Sequence, residues 1–343
     1  NNLKTLLLDE KAELGGTTIY QDSDNFKIEN KISSNWLNEE ISKLKKLENL
    51  EIKTRTSVAA YHGYNYLLAR ENLTDHLSKT EKQNKIRQRL LKIRAKKVIV
   101  ATGALERPLI FNNNDRPGIM LSSAIKKYAD YYGVVCGKKN VFFTNNDTAY
   151  ESVISLTKKG IKVEAIIDIR EKSESSVVKE TENLGIKIYW SHTIVDTQGY
   201  KKLKQISVME LSKDGKSIVG SKIKINCDCL GIAGGWTPAV HLFTQSGGKL
   251  KFRDKDQVFI PNKYSSEQIS IGSCNGDFEL DEIIKNSTKS VKEFLNTNQT
   301  DYENLSVINS KETNKKNIWL LPSDKIIGKT KPFVDYQNDA TAK

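Results

Sequence analysis

The sequence predicts an α/β fold made of two doubly wound domains, with the second domain inserted into the first. Three observations support this prediction. The chain has 343 residues, enough for about two domains of ordinary size. Short apolar strands recur along it and end in glycine or acidic residues, as at Thr102-Gly103. Its middle part contains a strand–turn–helix–strand unit, and such alternation is typical of parallel sheets covered by helices.

The predicted first domain covers residues 1–108 and 230–300, and the inserted domain covers residues 109–229. In order, the elements of the first domain are strand 3–8, helix 35–50, strand 51–58, meander arms 61–68 and 92–94, three segments in which a strand runs into a turn at 97–104, 229–238 and 269–276, and helix 282–295. Those of the inserted domain are helix 122–132, strand 140–144, helix 148–159, strand 162–168, helix 176–184, strand 187–189 and an antiparallel set over 191–225. The helices show apolar side chains at helical spacing, and the strands are apolar runs or alternate. Residues 301–343 are polar, and we interpret them as a linker.

The ends of two predicted strands carry residues suited to a nucleotide. Asp9 and Glu10 follow the first strand. A carboxylate at this position of a doubly wound fold accepts the hydroxyls of an adenosine ribose and repels the 2′-phosphate of NADP. Thr102 and Gly103 follow a strongly apolar strand, and glycine lets the backbone approach a ligand closely. Both ends therefore indicate a Rossmann-like, dinucleotide-binding domain.

Two further strands run into glycine turns, at Gly234-Gly235 and at Gly272 to Gly276. The carboxyl ends of parallel strands meet at one edge of a sheet. We therefore expect the turns at Asp9, Thr102 and Gly272 to form the walls of one crevice for an adenine dinucleotide, with Gly234-Gly235 as another strand end of the same crevice.

The corresponding turn of the inserted domain contains no glycine. It reads Asn145-Asn146-Asp147, and it puts a carboxylate near the helix N-terminus that would otherwise attract an anion. We interpret Asp147 as a structural cap of that helix. The sequence therefore disfavours a second dinucleotide at this turn.

Composition excludes several classes of protein. Hydrophobic residues make up 38% and charged residues 28% of the chain, which is ordinary for a globular protein. No apolar run reaches the roughly 18 residues of a membrane span. The net charge is +12, but the lysines are scattered and no nucleic-acid-binding motif occurs, so we predict no nucleic-acid partner. The four histidines show no metal-ligand spacing, and four scattered cysteines without C-x-x-C indicate free thiols and a cytoplasmic location.

Several long strings resemble the α subunits of heterotetrameric sarcosine oxidases. These strings are ATGALERPL at 101–109, FNNNDRPGIML at 111–121, FTNNDTAY at 143–150, GGWTP at 234–238 with His241, QSGGKL at 245–250 and FVDYQND at 333–339. The resemblance implies a pair of domains similar to FAD/NAD-linked disulfide reductases, one of which binds NAD. It also implies that a Gly-rich loop precedes this chain and that a folate-binding domain follows it.

The resemblance further implies the site and the partners. The candidate cofactor-binding residues are Asp9, Glu10, Gly15, Gly16, Val58, Thr102, Gly103, Gly272, Cys274 and Asn275. In this family sarcosine is oxidised at flavin on the β subunit, FMN lies near the contact between α and β, and tetrahydrofolate binds the C-terminal domain of α. The implied partners are the β, γ and δ subunits and a small-molecule substrate. No catalytic residue is assigned to this chain.

Three alternatives stay open at this point. The chain could instead be the corresponding subunit of an opine or proline dehydrogenase or of a cyanide-forming glycine oxidase. It could be an assembly scaffold with a vestigial nucleotide site. It could also be a self-sufficient flavin-dependent NAD(P)H reductase, although the glycine-free turn at Asn145-Asn146-Asp147 speaks against the second nucleotide that such an enzyme needs.

Overall fold

A computed structural model describes residues 3–20, 26–297, 302, 305–308, 315–324 and 331–342. The chain divides into two compact units. Unit 1 comprises Asn1–Leu105 and Thr237–Asn309, and unit 2 comprises Glu106–Trp236 and Ser310–Lys343. The first boundary thus lies three residues from the predicted one and the second lies seven, so the predicted strand that begins at Cys229 belongs to unit 2 and not to the first domain. The stretch predicted as a linker divides between the two units. The chain passes between the units within two short strands, β9 (Ala104–Glu106) and β18 (Trp236–Pro238).

Unit 1 contains short parallel strand pairs and antiparallel sheets. In chain order, its other elements are β1 (Thr5–Leu8), β2 (Lys27–Ile28), β3 (Lys31–Ile32), α1 (Ser33–Leu44), β4 (Leu50–Lys53), β5 (Thr56–His62), β6 (Tyr66–Asn72), α2 (Lys79–Lys82), β7 (Gln88–Arg94), β8 (Val98–Val100), α6 (His241–Gln245), β19 (Lys249–Arg253), β20 (Val258–Lys263), β21 (Gln268–Ser270), α7 (Leu280–Leu295) and β22 (Val307–Ile308). β1 pairs with β4 and β8 with β21, both in parallel. β5, β6 and β7 form an antiparallel meander, as the two predicted arms indicated.

A small core connects the meander of unit 1 to the β8–β21 pair. Tyr61, Leu67, Val100 and Cys274 are buried together, and Val58 packs against them. The Tyr61 hydroxyl donates to the Asn65 side chain at 2.8 Å. The strands that carry the candidate site therefore rest on an apolar support.

Unit 2 is built on a five-stranded parallel sheet. Its elements are β10 (Ile119–Leu121), α3 (Ser122–Asp130), β11 (Asn140–Thr144), α4 (Thr148–Lys158), β12 (Val163–Asp168), α5 (Ser176–Asn183), β13 (Ile188–Trp190), β14 (His192–Gln198), β15 (Gln205–Leu211), β16 (Ile218–Asn226), β17 (Cys229–Ala233), β23 (Phe333–Asp335) and β24 (Ala340–Thr341). The order of the parallel strands is β10-β17-β11-β12-β13, and β14, β15 and β16 form a separate antiparallel sheet.

The two central strands, β11 and β17, are buried along their whole length. Strands of a parallel sheet are covered on both faces and are therefore apolar throughout. Val141 and Phe143 point to one face, where they pack with residues of the antiparallel sheet. Phe142 points to the other face, where it packs with side chains of α3, α4 and α5. The alternation along one strand thus builds two cores.

The prediction of a linker over residues 301–343 is wrong for part of the residues that the structure describes there. Asn114 holds Phe333 as a neighbouring strand would, because its side-chain amide donates to the Phe333 carbonyl at 2.9 Å and its oxygen accepts from the Phe333 amide at 2.8 Å. Ile318 and Leu321 join the core of unit 2. Polar composition alone suggested a linker, but buried asparagines of unit 2 supply the hydrogen bonds that order these segments.

Candidate functional site

The β8–β21 pair brings two of the predicted nucleotide turns together. β21 runs parallel to β8 with Ser270 opposite Val100, and the Ile271 amide extends the ladder by donating to the Val100 carbonyl at 3.0 Å. Both strands then leave the sheet at the same edge. Thr102-Gly103 follows one strand and Gly272 follows the other, so these turns are neighbours, as the sequence predicted.

Both turns depend on glycine in the left-handed backbone region. Gly103 has φ +71° and Gly272 has φ +66°, a conformation that favours glycine over residues with a Cβ. A Cβ built at Gly103 would meet no atom within 4 Å. The outer side of this turn is therefore open, and a ligand can approach its backbone directly.

A second segment of unit 1 fixes the Thr102-Gly103 turn, a role that was not predicted from the sequence. The Thr102 hydroxyl donates to the Ala239 carbonyl at 2.8 Å. The Ala239 amide donates to the Gly103 carbonyl at 3.0 Å. These two bonds hold the turn in shape without using the exposed face of Gly103.

The Cys274 side chain packs in the core beneath the two turns and is not exposed to solvent. It is buried, and its thiol lies 3.2 Å from the Val100 carbonyl. Burial raises the pKa of this thiol, which makes it unreactive. Asn275 ends the short 3₁₀ turn Gly272–Asn275 and is half-buried. Gly272 is buried as well, so Asn275 is the candidate residue of this turn that is partly exposed.

Asp9 and Glu10 lie at the end of the other parallel pair. The Asp9 carbonyl accepts from the Thr56 amide at 2.8 Å, and its carboxylate accepts from the Lys11 amide at 2.8 Å. Glu10 is exposed and forms an ion pair with Lys11 at 2.6 Å. Among the described residues, these hydrogen bonds do not join Asp9 to Thr102 or Gly272, so their meeting in one crevice stays a prediction.

The remaining site residues of the first domain differ in their surroundings. Gly15 has φ +118° and is enclosed by Leu37, so this glycine is needed for packing. Gly16 has φ +59° and faces open space. Val58 lies on β5, where it is half-buried against the Tyr61 core. Only Gly16 of these three offers an open backbone to a ligand.

Asn65 is a structural residue of this site that the sequence analysis missed. It is buried, and its side-chain amide donates at 3.0 Å to the carbonyls of both Lys96 and Glu267. It thus joins the chain just before β8 to the chain just before β21. The sequence signal was its place in the turn Gly63-Tyr64-Asn65, because asparagine tolerates the left-handed conformation that it adopts here, with φ +52°.

The turn at Gly234-Gly235, predicted as part of the same crevice, belongs instead to unit 2. A Cβ at Gly234 would lie 2.7 Å from the Arg107 carbonyl oxygen and 3.1 Å from the Trp319 ring. This glycine therefore makes room for segments of its own chain. Glycine at a strand end satisfies either need, so the sequence could not distinguish them.

The glycine-free turn of unit 2 is structural, as predicted, but Asp147 does not cap α4. The Asn146 side chain accepts from the Thr148 amide at 2.9 Å. Asp147 forms an ion pair with buried Arg170 at 2.8 Å. A buried cation needs a carboxylate partner more than a helix end does, and this need explains the difference.

Three features outside these turns bear on function. The described residues contain no cluster of three or more His, Cys, Asp or Glu side chains suited to a metal ion. All four cysteines are free thiols. In the described part of the chain, every helix is too short or too polar to pass through a membrane.

Comparison with known proteins finds curated relatives that share the same name. The α subunit of sarcosine oxidase from Corynebacterium sp. strain P-1 is 33% identical over 98% of this chain, and that from strain U-96 is 30% identical over 98%. The α subunit from Rhizobium meliloti strain 1021 is 29% identical over 79%. The chain spans 35% of the length of each Corynebacterium relative. No family model matches the chain.

Solved structures show the same fold at low identity. L-proline dehydrogenase from P. horikoshii matches 89% of this chain and 55% of its own, with a TM-score of 0.59 at 19% identity. Thioredoxin reductase from Lactococcus lactis matches 85% of this chain and 90% of its own, with a TM-score of 0.60 at 15% identity. The predicted Rossmann-like α/β class is confirmed. Over the part of the relatives that it spans, the chain is thus a homologue of sarcosine oxidase α subunits, as the resemblance predicted.

Proposed function

We propose that this chain is the NAD-binding portion of a sarcosine oxidase α subunit. The observation that carries the proposal is the pair of neighbouring glycine turns after β8 and β21. Gly103 and Gly272 both adopt positive φ, and the backbone of Gly103 faces open space. Such turns at the carboxyl ends of parallel strands are where doubly wound folds bind nucleotides.

Asp9 supports NAD as the dinucleotide, in preference to NADP. It follows β1 directly and keeps a carboxylate at the strand end. In a doubly wound fold a carboxylate there binds the ribose hydroxyls and repels a 2′-phosphate. The open backbone of Gly16 would complete the site around this contact and the two glycine turns, whereas Gly15, Val58 and Cys274 would support it by packing.

The whole enzyme would be an oxidoreductase acting on a CH–NH donor. We propose that it oxidatively demethylates sarcosine to glycine, passes the methylene group to tetrahydrofolate and releases H₂O₂. Flavin chemistry would take place on a β subunit, with FMN near its contact with α and tetrahydrofolate on a part of α outside this chain. The name shared by the curated relatives supports this assignment, and we propose that the chain assembles with β, γ and δ subunits in the cytoplasm.

Nucleotide binding by the full chain tests the proposal. Equilibrium dialysis with NAD⁺ and with NADP⁺ should show binding of NAD⁺ and much weaker binding of NADP⁺. Gly103→Ala should weaken NAD⁺ binding at least about tenfold, because the methyl group enters the open face of the turn and strains its backbone.

Gly160→Ala is the matched control. Gly160 also has a positive φ, +75°, and faces open space, but it lies in unit 2. Its replacement should cost similar stability and leave NAD⁺ binding unchanged. Equal loss of binding in both variants, or no binding by the unaltered chain, would contradict the assignment of the site.

A further inference from the structure

The sheet of unit 2 has its own strand-end crevice. From β11 the chain winds outward through β12 to β13 and later returns on the other side as β17. The winding direction therefore changes between β11 and β17. In open parallel sheets, ligands bind outside the carboxyl ends of the strands at this point, which here means beside Asn145 and Gly234.

A segment of the same chain, residues 315–321, lies at this point. The buried Asn145 side chain donates to the carbonyls of Lys316 and Ile318 at 3.1 and 3.3 Å. In return, the Lys316 amide donates to the Asn145 carbonyl at 3.2 Å. The Lys316 ammonium group reaches the Ile169 carbonyl, just past β12, at 3.3 Å. The segment thus contacts the ends of two adjacent strands.

Trp319 connects the segment to the end of the third strand, β17. Its indole N–H donates to the Gly234 carbonyl at 2.6 Å. The Arg107 guanidinium stacks on the Trp319 ring, with its central carbon 3.6 Å from the ring centroid, which is a favourable cation–π distance. The tryptophan therefore occupies the space next to the glycine turn where a nucleotide would approach.

The segment is also paired through its backbone. The Ile110 amide donates to the Trp319 carbonyl at 2.7 Å, and the Leu321 amide donates to the Ile110 carbonyl at 2.9 Å. Ile318 and Leu321 pack in the core of unit 2. Burial and backbone pairing together indicate a permanent part of the fold.

The carboxylate that could bind a ribose at this edge of the sheet already has partners within the protein. Asp168 ends β12, the position of the ribose-binding carboxylate, and is fully buried. It forms an ion pair with Arg170 at 2.8 Å and accepts from the Tyr150 hydroxyl at 2.8 Å. Burial lowers the pKa of Arg170, but the Asp168 and Asp147 carboxylates raise it by more, so the guanidinium keeps its charge.

We infer that residues 315–321 are the resident ligand of the unit 2 crevice, which binds this extended peptide in place of a dinucleotide. The inference goes beyond the proposed function because it concerns the other unit. Unit 2 then has no hydride-donor site of the kind that a two-nucleotide reductase needs.

Hydrogen exchange of the full chain, followed by mass spectrometry, tests the inference. Peptides covering residues 315–321 should exchange slowly, and saturating NADH or NADPH should leave their exchange unchanged. Asn145→Ala removes the side-chain hydrogen bonds to the Lys316 and Ile318 carbonyls and should speed this exchange by roughly tenfold or more. Trp319→Phe keeps an aromatic ring but loses the indole N–H that donates to the Gly234 carbonyl. It should give a smaller increase, and it keeps the inference testable if the first variant misfolds.

Asn226→Ala is the control, because Asn226 is an exposed asparagine of the same unit that accepts only from Gln205 among its described contacts. It should leave exchange at 315–321 unchanged. Faster exchange on adding NADH or NADPH would show that nucleotide displaces the segment and would overturn the inference, as would exchange in the unaltered chain at the rate of an exposed loop. If instead the proposed NAD site in unit 1 is wrong, equilibrium dialysis will show no NAD⁺ binding, while hydrogen exchange of residues 315–321 will still be slow.

Discussion

Glu106 is a buried carboxyl group whose ionisation opposes folding. It is 8% exposed, and one of its oxygens accepts from the Ser123 amide in the first turn of α3 at 2.9 Å. Burial raises its pKa from 4.5 to about 7, although the hydrogen bonds from Ser123 act in the other direction. Between these two pH values the folded chain holds a proton that the unfolded chain has released.

The pH dependence of stability should reveal this group. A raised folded pKa means that the stabilising contribution of Glu106 is complete below pH 4.5 and is lost as the pH rises through 7. Over this range the free energy of unfolding should fall by about 3 kcal/mol relative to Glu106→Gln, since one pKa unit corresponds to about 1.4 kcal/mol. Urea unfolding of both proteins at pH 5 and pH 8.5 measures the change, and parallel pH profiles would refute the prediction.

At the scale of elements, a glycine on β17 leaves room for an aromatic ring of the neighbouring strand β11. Gly231 on β17 lies opposite Phe142 on β11, and a Cβ at Gly231 would lie 2.6 Å from the Phe142 ring. Gly231→Ala should therefore lower the free energy of unfolding by about 1–3 kcal/mol through overpacking. Gly63→Ala, at a position where a Cβ meets nothing within 4 Å, is the control. Thermal unfolding that shows equal stability for the two variants would rule out this packing argument.

The elements also show what sequence alone could predict. β11 and α4 were predicted near their observed bounds because apolar periodicity is a local property of the chain. The glycine turns after β8 and β21 were predicted as neighbours because parallel strands end at one edge. The order of residues 315–321 could not be predicted, since it depends on bonds from Asn145 and on a site for Trp319 that exist only in the folded unit. The local composition of a segment does not indicate partners that are distant in sequence.

At the scale of the whole molecule, the two units differ in whether a segment of the chain contacts their strand-end turns. In unit 1 the backbone of Gly103 faces open space, whereas in unit 2 residues 315–321 contact the strand ends through Asn145 and Gly234. Each unit has its own core. A ligand that binds one unit therefore stabilises that unit by its own binding free energy.

NAD⁺ should consequently protect unit 1 and leave unit 2 unchanged. At 100 times the dissociation constant, binding adds about 2.7 kcal/mol to the stability of the folded state that binds it. Hydrogen exchange should slow in peptides covering β8 and β21 and stay constant in peptides covering β11 and β17. Gly103→Ala should abolish the slowing at the same NAD⁺ concentration, whereas Gly160→Ala should retain it. Equal protection of both units would mean either that NAD⁺ also binds unit 2 or that the units unfold together, and in each case the separation argued from their two crevices would fail.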